Sequence, residues 1–203
     1  MNEKIFLKLA DHYCKNFEQS EYMVLHNNSA GRHIDVLLFP ATEKYPFWKL
    51  ATIGASDHRM SKKKGISRYN EYVMFVNKDV EFSERTNDWK WYYNILTITA
   101  LYPISTDETI TFAHTIELSD FPKLSDKTTM AGMFLMMPDA IENRELLVCK
   151  TGLLKKVACF QVMPVTKQEM VERWTIGFEA FIEKHFYPTD GRTPLFIAEE
   201  TRS

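Results

Sequence analysis

The 203-residue chain has little of what most functional signatures are made from. Its 7 glycines are scattered, and Gly31, Gly54, Gly65, Gly132 and Gly152 among them fit neither a GxGxxG nor a GxxxxGK spacing, so no phosphate-cradling loop is encoded. Cys14, Cys149 and Cys159 stand far apart with no CxxC pair. That excludes a disulfide framework and a cysteine zinc site, and leaves reduced, mostly buried thiols. No apolar run approaches the ~20 residues of a membrane-spanning helix. Residues 1–10, MNEKIFLKLA, carry charges throughout and lack the apolar centre of a secretory signal. Charge of one sign is missing too: 25 Lys and Arg stand against 27 Asp and Glu, a formal net charge of -2, which exerts no global pull on a polyanion or a membrane. These absences predict a cytoplasmic protein with no cofactor, no metal and no membrane partner.

What is present is an ordinary globular content, 45% hydrophobic, enough for one domain over residues 1–203 with a core at about 22–186 and a polar tail at 188–203. The densest stretch is 32–60, RHIDVLLFPATEKYPFWKLATIGASDHRM. Residues 34–39 and 47–53 are β-branched and aromatic, so both predict strands, and Pro40 and Pro46 bound the turn between them. Phe6, Leu9, Tyr13 and Phe17 repeat at helical steps, which predicts a helix over 3–18. Further strands are expected at 22–26, 69–76, 109–118, 133–137, 146–149 and 157–165. A middle helix is expected from 89 to about 100, capped by Asp88 and stopped by Pro103. Thr166-Lys167-Gln168-Glu169 has the pattern of a capping box and predicts a last helix with Met170, Trp174, Phe178, Phe181 and Ile182 along one side. Strands broken by three helices give an α+β class: a mixed, mainly antiparallel β-sheet with packed α-helices.

Few side chains carry an obvious chemistry. Ser56-Asp57-His58 juxtaposes a hydroxyl, a carboxylate and an imidazole, but adjacent residues rarely converge and no Gly-x-Ser-x-Gly elbow exists. The expectation is a structural loop of Gly54, Ser56 and Asp57, with Asp57 accepting backbone N–H groups. Six histidines, at 12, 26, 33, 58, 114 and 185, show no metal-ligand spacing. Lys62-Lys63-Lys64, near Arg59 and Arg68, is the only basic cluster. A solvated face is the plain account of it, and nucleic-acid binding the rarer one. Trp89-Lys90-Trp91-Tyr92-Tyr93 is aromatic all round and needs cover from the core or from a partner. The candidate protein-binding residues are therefore Trp48, His58, Arg59, Lys63, Trp89 and Trp91.

Three segments resemble the Suppressor of fused domain family. They are His33-Ile34-Asp35-Val36, Phe39-Pro40-Ala41-Thr42, and the run from Pro46 to Asp57, PFWKLATIGASD. Glu71 resembles the acidic residue of that family's next strand. Val162-Met163-Pro164-Val165-Thr166 followed by Glu169 resembles its closing signature. The likeness spans roughly residues 30–185. It implies a single-domain, bacterial-type, non-enzymatic protein-binding module, with an immunity-type protein that neutralises a toxin as the leading expectation. A small hydrolase or nuclease-like enzyme is the alternative, and a nucleic-acid binder using Lys62–Lys64 the third.

Overall fold

The computed structural model describes residues 2–27, 33–61, 63–83, 85–121, 124–190 and 194–202. Gly31 and Lys62 therefore fall outside the described residues. Helix α1 (Glu3–Phe17) is capped by Asn2, whose side chain accepts from the Lys4 N–H, and ends at Glu18 in the left-handed region. Its Leu9, Tyr13 and Phe17 stripe is fully buried.

Strands β1 (Met23–Asn27), β2 (Ile34–Phe39), β3 (Phe47–Ile53) and β4 (Asn70–Asn77) follow as an antiparallel meander. The β2–β3 turn holds because the Thr42 and Tyr45 backbones pair at 2.9 Å and the Tyr45 N–H also donates to the Thr42 hydroxyl. The rest of the chain supplies α2 (Asp88–Thr106), β5 (Thr115–Glu117), β6 (Met130–Met136), β7 (Val148–Lys150), β8 (Lys156–Thr166), α3 (Lys167–Ile176) and α4 (Phe178–His185).

One sheet runs β1-β2-β3-β4-β8-β6-β5, with β7 also on β8. β4 and β8 pair in parallel, and the other strand pairs are antiparallel. Period-two alternation sends the two sets of side chains to opposite faces. Val36, Leu38, Leu50, Met74 and Val162 meet Trp91, Ile95 and Leu96 of α2 on one face. On the other, Leu37, Ala51, Val73 and Cys159 meet α1, while Phe134, Met163 and Val165 lie under Met170 of α3 and Phe181 of α4. Gly132 permits that close approach, since a Cβ there would stand 2.7 Å from the Met170 sulfur and 2.8 Å from the Ile116 carbonyl.

Three local expectations are corrected. α2 does not stop at Pro103 but carries it inside the helix to Thr106. The ring forfeits one helical N–H, yet it is buried, and the Ser105 and Thr106 hydroxyls donate to the Leu101 and Tyr102 carbonyls of the last turn. The strand expected at 109–118 shrinks to β5, because Ala113 has a φ of 70° and His114 closes a turn on Thr111. The single closing helix is two, broken at Gly177 (φ 84°), and this leaves Trp174 exposed. The capping box itself is present: the Thr166 hydroxyl accepts from the Glu169 N–H and Glu169 accepts from the Thr166 N–H.

The tail is held more firmly than its polarity implies. Ala198 forms a parallel bridge to Val76 and donates to the Phe75 carbonyl at 2.7 Å. Arg202 grips Glu169 through Nε and Nη2 at 2.9 and 2.7 Å. No helix among the described residues is long and apolar enough to cross a membrane.

Candidate functional site

Glu71, on β4, is the acid about which the organising loop closes. Its side chain is fully buried. One carboxylate oxygen accepts the Gly54 and Ser56 N–H groups, each at 3.0 Å, and the other accepts the Thr52 hydroxyl at 2.7 Å. Thr52 Oγ1 in turn accepts the Tyr72 N–H at 2.8 Å, and Tyr13 on α1 donates its hydroxyl to the Thr52 carbonyl at 3.0 Å. Burial pushes the Glu71 carboxyl above the ordinary carboxylate range, against the opposing pull of its hydrogen bonds. The loop that results needs Gly54 for two reasons: its φ is 121°, and a Cβ would lie 2.4 Å from the His33 carbonyl oxygen.

The acid that accepts the Gly54 and Ser56 N–H groups is therefore Glu71, from the neighbouring strand. Asp57 is exposed at the end of a short 3-10 turn over Ala55–Asp57. The Ser56 hydroxyl is buried while Asp57 faces solvent and His58 is half-buried. The three side chains therefore occupy different environments. The sequence signalled Glu71 only through the family resemblance, because no local pattern marks a carboxylate that acts fifteen to nineteen residues away.

The aromatic candidates serve the fold. Trp91 is 3% exposed and belongs to the core under the sheet. Trp48 packs on Phe82 at 4.8 Å between ring centroids, and Phe82 on Trp89 at 6.3 Å. Trp89 donates its indole N–H to the Ser83 carbonyl at 2.7 Å. Together they fasten the loop after β4 across the start of α2. Arg59 is exposed, but neither it nor His58 lines the groove described next.

Lys63 does line it. Residues 63–69 return from the Glu71-ordered loop toward β4 and face the β7–β8 hairpin across a groove of about 580 Å³. Lys63, Lys64, Arg68 and Lys156 line it together with Ile66, Tyr69, Val148 and Leu154. Among the described residues, none that lines it is acidic. Lys155 extends the positive rim, with its ammonium 4.7 Å from the Tyr69 ring centroid. At the hairpin tip Leu153 is fully exposed and Leu154 is 93% exposed. A cationic groove beside two unburied leucines can desolvate an apolar side chain while pairing with carboxylates.

A third cluster lies at the β1 edge. His26 Nδ1 and His33 Nε2 each stand 2.8 Å from the same oxygen of Asp35. Register creates this group: His26 on β1 is directly opposite Asp35 on β2. The 26–33–35 spacing matches no ligand motif, so the sequence offered no sign of it.

Fold and sites together define a mixed α+β domain whose buried polar atoms order a loop beside a basic, apolar-edged groove. The chain belongs to the Suppressor of fused protein (SUFU) family, whose model matches residues 30–192. It is similar in structure to a chain described as a SUFU (suppressor of fused protein) homolog from Neisseria gonorrhoeae FA 1090. That match has a TM-score of 0.68 and 11% identity, and covers 100% of this chain and 97% of that one. The chain in the crystal structure of the Sufu–Fu complex is similar at a TM-score of 0.67 and 14% identity, with 96% and 89% covered. Drosophila Suppressor of Fused is similar at 0.63 and 13%; the match covers 96% of this chain and 49% of that one. Comparison with curated proteins returns no match.

Proposed function

We propose that this chain is a non-enzymatic protein-binding module that receives an acidic, partly apolar segment of another protein in the groove between residues 63–69 and the β7–β8 hairpin. The observation that carries the proposal is the groove itself. Lys63, Lys64, Arg68 and Lys156 line it with no acidic residue among them, and Leu153 and Leu154 stand exposed at its edge. A row of cations with no ion-pair partner among the described residues, in a domain of net charge -2, favours a partner of opposite sign over a polyanion bound by global charge. The Sufu–Fu complex supports the class of function, since a protein of this fold is found there with another protein.

The finer proposal is an immunity-type role in the cytoplasm, in which the partner is a toxin domain that binding neutralises. It rests on the family resemblance. The test is co-expression of the chain with the product of the adjacent gene, followed by co-purification and size-exclusion chromatography. The proposal expects a 1:1 complex that Leu154→Asp disrupts, and rescue of growth where the neighbouring product is toxic. Separate elution of the two, or a complex indifferent to Leu154→Asp and Lys63→Glu, would overturn it.

A further inference from the structure

We propose that His26, His33 and Asp35 form a binding site for a divalent first-row transition-metal ion of the zinc, nickel or cobalt type. The site lies on the edge strand β1, the residue before β2 and the start of β2, on the α1 side of the sheet, apart from the basic groove. Asp35 is 4% exposed and is the second residue of β2, paired with His26 of β1 and with Ile53 at the end of β3. His26 is 65% exposed, and His33 is partly exposed. A fixed carboxylate thus carries two imidazoles on its solvent side, with ring centroids 5.7 Å apart. An ion seated there would meet protein on one side and water on the other.

The spacing fits such an ion. Ligand atoms each about 2.1 Å from a shared metal stand about 3.0 Å apart when the bonds meet at a right angle and about 3.4 Å apart in a tetrahedron. Both nitrogen-to-oxygen edges measure 2.8 Å. All three donor atoms lie within 4.8 Å of one another, so a modest rotation of the exposed His26 ring brings its nitrogen fully into range. Two nitrogens and one oxygen on one face, with the remaining positions open, form a donor set for borderline ions. Calcium and magnesium require mostly oxygen ligands and are excluded by it. One carboxylate leaves the bound ion with a residual positive charge, which water, hydroxide or an incoming carboxylate would satisfy at the open positions.

The same contacts have an ion-free form, in which each imidazole turns an N–H toward Asp35. On binding, those two nitrogens present lone pairs and each ring keeps its proton on the other nitrogen, so the two forms differ by tautomer and need no refolding. Because His26 is cross-strand to Asp35 and β1 has one neighbour, an ion would also tie the edge strand to β2.

The experiment titrates tag-free, chelator-treated full-length protein with zinc, nickel and cobalt chlorides by calorimetry, with calcium and magnesium chlorides as controls. Cobalt binding is followed in parallel by its visible absorption. We expect one equivalent of a transition ion to bind, with no heat from calcium or magnesium and a raised unfolding midpoint in its presence. His26→Ala and His33→Ala should each weaken binding about ten-fold or more, and each should shrink the rise in unfolding midpoint that the ion gives relative to the same protein without it. Asp35→Asn, which keeps the side-chain shape, should also weaken binding. Absence of saturable binding by all three ions, or unchanged affinity in the His26→Ala/His33→Ala double variant, would overturn the assignment.

Discussion

Removing Glu71 is the perturbation that most directly probes the organising loop. Its carboxylate satisfies three donors: the Gly54 and Ser56 N–H groups and the Thr52 hydroxyl. Glu71→Ala leaves all three without that acceptor in a fully buried setting, and each orphaned group costs about 1–3 kcal/mol. Water entering the vacated space recovers part of this, so a loss of roughly 3–5 kcal/mol is expected, a large share of the ~5–15 kcal/mol that domains possess. Glu71→Gln keeps an amide oxygen for the two backbone donors and should lose no more than about 1 kcal/mol.

The pH dependence separates the two chemistries. Burial raises the folded-state affinity of Glu71 for a proton, so its contribution is full below the ordinary carboxylate range and declines as pH rises through the elevated value. Wild-type stability relative to Glu71→Gln should therefore be greatest near pH 4 and fall toward pH 7. Urea unfolding of the three proteins across that range provides the comparison. An alanine variant within about 0.5 kcal/mol of wild type, or a wild-type advantage over glutamine that grows with pH, would refute the reasoning.

Two further predictions concern neighbouring backbone and charge. Gly54→Ala forces a Cβ to 2.4 Å from the His33 carbonyl at a φ of 121°, and should cost about 3 kcal/mol or more in thermal or urea unfolding; a neutral effect would show that the loop has another conformation open to it. Lys49 is fully buried with its ammonium on the Pro40 carbonyl at 2.8 Å, and burial lowers its pKa to about 8. The fold is therefore penalised by roughly 3 kcal/mol below pH 8, and recovers as pH rises from 8 to about 10.5, where the unfolded lysine also becomes neutral. Lys49→Met removes the penalty but orphans one carbonyl. It should gain about 1–2 kcal/mol at pH 7, with its advantage over wild type shrinking toward pH 10; a variant less stable at pH 7 would contradict this.

The hairpin was legible because its information is local. Residues 34–39 and 47–53 carry their own strand propensity and their own prolines, and the strand bounds match to the residue. The capping box at Thr166 is local in the same way. Pro103 misled because a helix break is a propensity, and core burial of the ring overrides it. The expectation for Asp57 leaned on proximity in sequence, whereas the acid that takes the Gly54 and Ser56 N–H groups, Glu71, arrives from the neighbouring strand. The groove joins residues 63–69 to a hairpin some eighty residues later, and the histidine–aspartate cluster depends on the β1–β2 register. Neither leaves a mark in a single sequence. The tail is polar by composition yet pinned at Ala198 and Arg202 by partners across the sheet.

The central claim, that the basic groove is a protein-binding surface, is tested most directly by calorimetric titration of the purified chain with the adjacent gene's product, in wild-type form and as Lys63→Glu and Arg68→Glu. The account predicts a saturable 1:1 complex whose affinity falls about ten-fold or more on either reversal, chiefly through slower association that added salt mimics in the wild type. A complex that forms with undiminished affinity in both variants, or a purified chain that binds no protein and turns over a small molecule instead, would contradict it.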